Sequence, residues 1–344
     1  MFDFRGALGA FVAIGLLAAC GGSQPQLRVQ GPQTATSASS KGRSLMKETS
    51  SGQDLLYVVD QQGQNVHVYT YPQGGTVGTL TGFIYPAGEC VDLSGDVFIV
   101  SQERTGSYFS STIYEYAHGG TAPIATLNDP VGGAGCAIDP KTGNLAVAGA
   151  YFSSPYAYGA VAIFKKAQGS PKMYSSKLQG RFFLCGYDPQ GNLYISSANS
   201  ATPGVQQLIR LAKGSSKFEQ IALASPMYGD TTFPSSVQWD GTYMTVSAAN
   251  ANYGSGRYQP SYIYRLKISG DAATTVSTTT YTGKRKLMTG QVWIDGSHII
   301  ASHYHAGGGV DFWLYPNAGK ATAIVPTSSG VSPWGIAVSP GTGR

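Results

Sequence analysis

Tight glycine turns recur along this chain at nearly constant intervals, and each turn precedes a short β-rich run. The successive spacings are 48, 48, 50, 55 and 47 residues, and the turn glycines are Gly95, Gly143, Gly191, Gly241, Gly296 and Gly343. A period of about 40–50 residues with four short strands per unit is typical of one β-propeller blade. The spacing therefore predicts an all-β fold, a six-bladed β-propeller with four-stranded antiparallel blades.

The repeats align to a common order of strands. An innermost strand such as Gly135–Ile138 turns at an Asp-Pro-x-Gly or Asp-Gly motif into a second strand such as Asn192–Ser196. A third strand with alternating apolar residues follows, as in Ile263–Leu266, and a glycine-rich turn leads to an outer strand. Alternation with period two indicates sheets that are covered on one or both faces.

The two ends of the repeat array are complementary. The last repeat stops after an innermost-strand segment, Trp334–Ser339, whereas the first strand, Leu55–Val59, looks like the second strand of a blade. Pairing the two would remove the exposed edges of an open array. We therefore expect the N- and C-terminal strands to pair and close the ring.

Three segments resemble NHL and YVTN-type propeller repeats, namely Leu55–Asp60, Asn192–Ser196 and Trp334–Ser339. The resemblance covers nearly all of 54–344. It implies the propeller fold but no particular activity, because propellers carry unrelated functions.

The first residues read as an export signal. An apolar run from Ala7 to Ala19 is too short to cross a bilayer and ends in Leu17-Ala18-Ala19-Cys20. This end resembles the bacterial lipoprotein signal, which implies cleavage before Cys20, a diacylglyceryl group on its sulfur and an acylated, for example palmitoylated, amino terminus. The alternative is an ordinary secretory signal cleaved after Ala19. The absence of Asp directly after Cys20 resembles lipoproteins of the outer membrane, facing the periplasm or the cell surface.

Composition divides the chain into a signal peptide at 1–19, a lipidated cysteine with a flexible tether at 20–53, and the propeller at 54–344. The tether is rich in Gly, Ser, Thr and Gln and has no apolar periodicity. The net charge of the chain is +5, of which the tether carries +3 and the propeller only +2. This balance does not favour nucleic acid as a partner.

Three cysteines lie in equivalent innermost-strand segments of consecutive repeats: Cys90, Cys136 and Cys185. An odd number in an exported protein does not suggest a disulfide framework. We expect them to act as small apolar packing groups, with a bridge or a reactive thiol as the alternatives.

An aspartate also recurs once per blade at the innermost turn, as Asp92, Asp139, Asp188, Asp240 and Asp295. Asp before Pro-x-Gly or Gly is turn chemistry, so we expect these carboxylates to cap local N–H groups rather than to converge on a metal. The best catalytic candidates are Glu89 and the pair His303 and His305, but no third metal ligand is recognisable near the histidines. No catalytic residue, cofactor or metal site is therefore assigned.

The loops on the face opposite these turns are predicted to be aromatic and basic. Seven basic residues there outnumber three acidic ones, for a local net charge of +4. Loop aromatics that cover the blade ends are the alternative explanation. The predicted ligand contacts on this face are Tyr108, Tyr156, Arg181, Arg257, Tyr258 and Tyr304.

These features favour a lipid-anchored, monomeric binding or scaffolding module for a glycan, an anionic polymer or a peptide. The alternative is a metal-dependent lactonase or lyase with its site in the central channel, as in some six-bladed propellers. Such an enzyme needs a converging polar cluster in the channel, whereas a binder needs only a broad aromatic rim.

Overall fold

The structure is a computed structural model, and it describes residues 44–47, 52–105, 108–153, 156–176, 180–198, 205–228, 235–249, 260–282, 290–302, 309–326 and 331–341. Within these ranges nearly all regular structure is strand, and the helical content is one short 3-10 turn, Lys165–Ala167. None of the described helical segments is long and apolar enough to span a bilayer.

The strands form six small sheets arranged in a ring, as the glycine spacing predicts. The first sheet, blade 1, contains β1 (Leu45–Met46), β2 (Leu55–Asp60), β3 (Asn65–Thr70) and β4 (Thr76–Leu80). Blade 2 contains β5 (Tyr85–Val91), β6 (Val97–Thr105), β7 (Tyr108–Tyr116) and β8 (Ala125–Asp129). Blade 3 contains β9 (Gly132–Ile138), β10 (Leu145–Ser153), β11 (Tyr156–Phe164) and β12 (Lys172–Ser176).

The second half of the chain repeats the arrangement with short additions at the outer edges. Blade 4 contains β13 (Arg181–Tyr187), β14 (Leu193–Ala198), β15 (Val205–Leu211) and β16 (Phe218–Gln220), and a short fifth strand also pairs with β15. Blade 5 is extended by β17 (Ala222–Leu223), and the next short strand is β18 (Met227–Tyr228) of blade 4. The main strands of blade 5 are β19 (Val237–Trp239), β20 (Met244–Ala248), β21 (Ser261–Ser269) and β22 (Ala272–Thr282). Blade 6 contains β23 (Val292–Asp295), β24 (His298–Ser302), β25 (Gly309–Leu314) and, after β26 (Gly319–Lys320), which pairs with β22 of blade 5, β27 (Ala323–Pro326). The last strand is β28 (Pro333–Ser339).

The ring closes where the sequence predicts it to close. β28 is the innermost strand of blade 1 and runs antiparallel to β2, with Leu55 opposite Ser339 and Tyr57 opposite Ala337. The Gly341 amide also donates to the Asp54 carboxylate at 2.9 Å. The C-terminal strand thus completes a blade whose other strands come from the N-terminal end of the propeller.

The strand pattern explains why the blades stack. In β2 alternate residues point to opposite neighbours: Tyr57 and Val59 pack towards blade 2, whereas Leu56 and Val58 pack towards blade 6. The buried apolar residues of the described chain form six clusters, and each cluster spans two adjacent blades. Both faces of such a strand are removed from water only when a blade lies on each side. The stability of each blade therefore depends on its two neighbours in the closed ring.

The innermost turns have the predicted aspartate chemistry. Asp92 Oδ1 accepts hydrogen bonds from the amides of Ser94 and Asp96, and Asp188 Oδ1 accepts from those of Gln190 and Asn192. Asp139 and Asp240 accept local amides in the same way. Gly95 and its equivalents at 143, 191, 241 and 296 have positive φ, which glycine adopts without strain. We call the face that carries these turns the turn face, and the opposite one the loop face.

Two expectations are corrected by the structure. Cys90 and Cys136 form a disulfide between the innermost strands of blades 2 and 3, so only Cys185 is a buried packing group. Adjacent innermost strands bring their Cα atoms to 5.6 Å, a distance that a disulfide spans and that spacing along the sequence does not reveal. In addition, Leu45–Met46 of the predicted tether pairs with the outer edge of β4.

Candidate functional site

The middle of the central channel is closed by side chains. Gln291, just before the innermost strand of blade 6, reaches across to blade 2, where its Oε1 accepts the Glu89 amide at 2.9 Å. Its Nε2 donates to the Glu89 carbonyl oxygen at 2.6 Å. Leu184 of blade 4 lies against Gly88 and Gly135 of blades 2 and 3, and a Cβ added at Gly135 would collide with its Cδ2 methyl group. Ligands therefore have no open passage through this level of the ring.

A second glutamine uses the same chemistry between blades 5 and 6. Gln238 Nε2 donates to the Ile294 carbonyl oxygen at 2.7 Å, and its Oε1 accepts the Ile294 amide at 2.9 Å. An amide side chain matches one backbone donor and one backbone acceptor, so it satisfies the inner edge of a neighbouring strand. The inner edges of blades 2 and 6 are thus capped without charge.

Glu89, the strongest catalytic candidate in the sequence, is not accessible. Its side chain is 0% exposed, and neither carboxyl oxygen has a hydrogen-bond partner among the described residues. Burial raises its pKa well above the usual value. A carboxyl group with no exposed surface cannot contact a ligand in solution, so the structure does not support a catalytic role for Glu89.

The turn face of the channel opens into a cavity of about 380 Å³. We call it the turn-face mouth. Its floor contains the Cys90–Cys136 disulfide, Leu184 and Gln291, and its walls include Tyr187, Trp239 and Trp293. Leu93 stands at its rim with 80% of its side chain exposed, the highest value among the large apolar residues described.

The lining of the turn-face mouth contains no Asp, Glu, His, Lys or Arg. Its two titratable side chains are both held neutral. Burial raises the pKa of the Cys185 thiol to about 12 and also raises that of the Tyr187 hydroxyl. The polar groups of Gln238 and Gln291 are already bonded to backbone. The Ser236 hydroxyl accepts the Val292 amide and has no basic side chain beside it in the lining. The cavity can hold a ligand, but its lining supplies no general acid or base and no base that would activate a nucleophile.

A second, more polar cavity of about 420 Å³ adjoins the mouth and shares Trp239 with it. It lies between blades 4 and 5 and includes Gln190, Thr242, Tyr243 and Lys267 in its lining. Arg210, also in this lining, donates to Glu219 Oε2 from both Nε and Nη2. Trp239 thus separates an apolar compartment from one with hydrogen-bonding groups.

The predicted loop-face contacts fall partly within the described chain. Arg181 is the first residue of β13 and its side chain is exposed. Tyr108 and Tyr156 begin β7 and β11, so they belong to the ends of long hairpins rather than to the loops in which the sequence analysis placed them. Their side chains lie outside the described part. Other predicted residues lie wholly outside it: Cys20, Arg257, Tyr258, Tyr304, His303 and His305.

Two neighbouring features of the loop face are buried. Phe182 and Phe183, which follow Arg181, are 1% and 9% exposed and pack between strands, so burial explains these two aromatic residues. Asp129, at the end of β8, is also buried. Its carboxylate accepts the Val131 amide at 3.0 Å and the Ser111 hydroxyl at 3.2 Å, and burial raises its pKa to about 7.

Metal binding has no candidate in the described part of the chain. No group of three or more His, Cys, Asp or Glu residues there could hold an ion. Four of the five recurring aspartates accept amides of their own turns, namely Asp92, Asp139, Asp188 and Asp240.

The turn-face mouth has a repeat signal that sequence reasoning did not use. The residue just before each innermost aspartate reaches the mouth in four blades, as Val91, Ile138, Tyr187 and Trp239. These side chains become larger from blade 2 to blade 5. In blade 6 the mouth is lined by Trp293, which lies two residues before Asp295. Comparing this one column of the aligned repeats would have revealed an aromatic side to the channel mouth.

Comparisons with known proteins identify the fold alone. No protein-family model and no curated protein matches the chain. A protein of unknown function from Desulfotomaculum acetoxidans is 12% identical, with a TM-score of 0.50 over 83% of this chain and 98% of its own. Hydrazine synthase from Kuenenia stuttgartiensis is 13% identical, with a TM-score of 0.47 over 75% of this chain and 72% of its own. A Bacteroides uniformis protein provisionally described as a 6-phosphogluconolactonase is 12% identical, with a TM-score of 0.49 over 83% and 99%.

Proposed function

We propose that this protein is a binding module of the bacterial cell envelope rather than an enzyme. The observation that carries the proposal is the turn-face mouth, a built cavity whose lining has no ionisable side chain free to react. The middle of the channel also supports the proposal, because the Gln291 amide there is bonded to the backbone of Glu89. The lactonase alternative is less well supported, because Glu89, its main catalytic candidate, is fully buried.

The proposal includes the anchor and the second face. Cys20 carries the lipid, residues 21–43 act as the tether, and the blades are of the NHL/YVTN type. A glycan, an anionic polymer or an extended peptide contacts the loop face through the six predicted residues, of which Arg181 is exposed at the start of β13. This surface and the turn-face mouth are opposite ends of one ring, so each can be tested alone.

Binding without turnover is the decisive measurement. The purified full chain should bind members of glycan and peptide arrays saturably while leaving a panel of lactones and phosphosugar lactones intact. Alanine at Arg181 should lower affinity for a loop-face ligand, whereas alanine at exposed Lys217 on the turn side should not. Hydrolysis of any lactone that is lost in Glu89→Gln would contradict the proposal.

Fractionation tests the anchor separately. Cys20→Ser should release the protein from membranes after a high-salt wash, because only a thiol accepts the diacylglyceryl group in the signal that this one resembles. Gly22→Ala, in the same segment, should leave the protein with the membranes. A Cys20→Ser protein that stays in the membrane fraction would show that Cys20 is not the attachment point.

A further inference from the structure

The turn-face mouth is a closed-bottomed cavity of a size that suits a small molecule. Its volume, about 380 Å³, lies within the usual range of ligand pockets. Leu184, Gln291 and the Cys90–Cys136 disulfide form its floor, so a ligand can enter only from the turn face. The floor is held by cross-ring hydrogen bonds, which makes the cavity preformed rather than induced.

The absence of charge in the lining determines which ligands the cavity favours. None of the lining side chains carries a charge, and the titratable Cys185 and Tyr187 are kept neutral by burial. An ion that moved from water into this cavity would lose hydration without gaining a partner, which is costly. The lining therefore discriminates against ionised ligands.

Ring-shaped ligands match the walls. Trp239 and Trp293 come from adjacent innermost strands and are partly exposed, and Tyr187 lies on the next blade. Flat aromatic surfaces pack well against other rings, in offset or edge-to-face arrangements. Neither indole N–H donates a hydrogen bond to another described residue, so each can bond a neutral acceptor on the ligand.

The adjoining polar cavity indicates where a substituent would go. Beyond Trp239 the lining combines the neutral donors and acceptors of Gln190, Thr242 and Tyr243 with the charged side chains of Asp188, Arg210 and Lys267. A ligand with its ring in the mouth can thus direct a hydroxyl or amide group over Trp239 towards blades 4 and 5.

We propose that the turn-face mouth is a binding site for an uncharged ligand that carries an aromatic or fused ring, gripped by Trp239 and Trp293. This inference rests on the proposed binding function and names the ligand class for one of the two faces. It adds a site that the sequence analysis did not predict, at the opposite end of the ring from Arg181.

A matched pair of probes tests the site. The full chain carrying Cys20→Ser is titrated with 2-naphthol, which is neutral at pH 7, and with naphthalene-2-sulfonate, which has the same ring and a fixed charge. Calorimetry should show saturable binding of 2-naphthol and at least about tenfold weaker binding of the sulfonate. Equal affinities, or no saturable binding of 2-naphthol, would overturn the inference.

Variants locate the binding. Trp239→Ala and Trp293→Ala should each weaken 2-naphthol binding by about fivefold or more, as expected for a central aromatic anchor. Leu314→Ala, at a position that is 51% exposed on the outer part of blade 6, should leave it unchanged. Unchanged affinity in both tryptophan variants would place the probe elsewhere and overturn the inference.

Leu93→Arg provides a variant with little risk to folding, since Leu93 is exposed at the rim. Its new charge should improve sulfonate binding by about threefold and reduce the preference for 2-naphthol. An identical preference in this variant would contradict binding at the mouth. A further outcome separates this inference from the proposed function. If all these variants still bind a glycan or peptide at the loop face and the protein does not bind 2-naphthol, the inference is wrong and the proposed function is retained.

Discussion

The middle of the channel and the turn-face mouth are built from the same innermost strands, yet their side chains are of opposite kinds. In the middle, Gln291 and Gln238 bond backbone groups of other blades, and Glu89 is enclosed without a hydrogen-bond partner in the described chain. At the mouth, Trp239 and Trp293 pack against the inter-blade cores and remain partly exposed in the lining of the cavity. The difference shows that one set of strands can serve both stability and ligand binding. Polar side chains link the blades in the middle of the channel, and aromatic side chains at the mouth can contact a ligand.

The largest effect should come from removing the strand that completes blade 1. Deleting 333–344 removes β28 and opens two edges, so the free energy of unfolding should fall by several kcal/mol, with loss of the cooperative thermal transition. Deleting 44–46, which removes only the peripheral β1, is the control and should cost far less. An unchanged melting temperature after the first deletion would show that the ring does not depend on this closure.

The disulfide lies between the two regions, at the floor of the mouth. Cys136→Ala should lower the free energy of unfolding by about 2–4 kcal/mol, because the bridge restricts the unfolded chain. Cys185→Ala, which removes a free buried thiol, should cost less. Thiol titration of the denatured Cys20→Ser chain without reductant should find one reactive group, and three would show that the bridge is absent.

A point substitution at Gln291 tests how much the hydrogen bonds in the middle of the channel contribute to stability. Gln291→Ala leaves the amide and the carbonyl oxygen of Glu89 without their side-chain partner, which should destabilise the fold by about 1–3 kcal/mol in denaturant titration. Gln190→Ala, at an exposed position, should stay within about 0.5 kcal/mol of the parent. Equal effects of the two substitutions would mean that the cross-ring bond contributes nothing.

Glu89 makes the middle sensitive to pH. Since burial raises its pKa in the folded state, the folded protein keeps a proton that the unfolded chain releases above about pH 4.5. Stability is therefore retained below that pH and lost as the pH rises towards the folded pKa. Glu89→Gln should flatten this dependence, so that the stability of the variant relative to the parent rises from pH 5 to pH 8 in chemical denaturation. A variant with the parent's pH profile would contradict an ionisable, enclosed Glu89.

The smallest effect on stability should occur at the mouth. Leu93 is almost fully exposed, so Leu93→Arg should change the free energy of unfolding by less than about 0.5 kcal/mol while altering ligand preference. A large loss of stability would mean that Leu93 has a packing role, and the separation between the two regions would fail.

Sequence reasoning succeeded where the signal is local or repeated. The aspartate turns depend on atoms within four residues, as the Asp92 bonds to Ser94 and Asp96 show. It was wrong about Cys90 and Cys136, because equivalent positions in successive repeats indicate a common strand but not the approach of two sulfur atoms. The sequence analysis also placed Tyr108 and Tyr156 in loops, whereas both begin strands. The alternation of apolar and polar residues does not show how far strand pairing extends towards the end of a hairpin.

By itself, the sequence determined the number of blades, the order of their strands, the turn chemistry and the strand that closes the ring. These follow from a period near 48 residues, from two-residue alternation and from turns that glycine and aspartate form locally. Only the tertiary structure decided that Gln291 meets Glu89, 202 residues away, and that Trp239 and Trp293 line one cavity. Such contacts depend on the curvature of the closed ring, which brings distant innermost strands together and which no local pattern specifies.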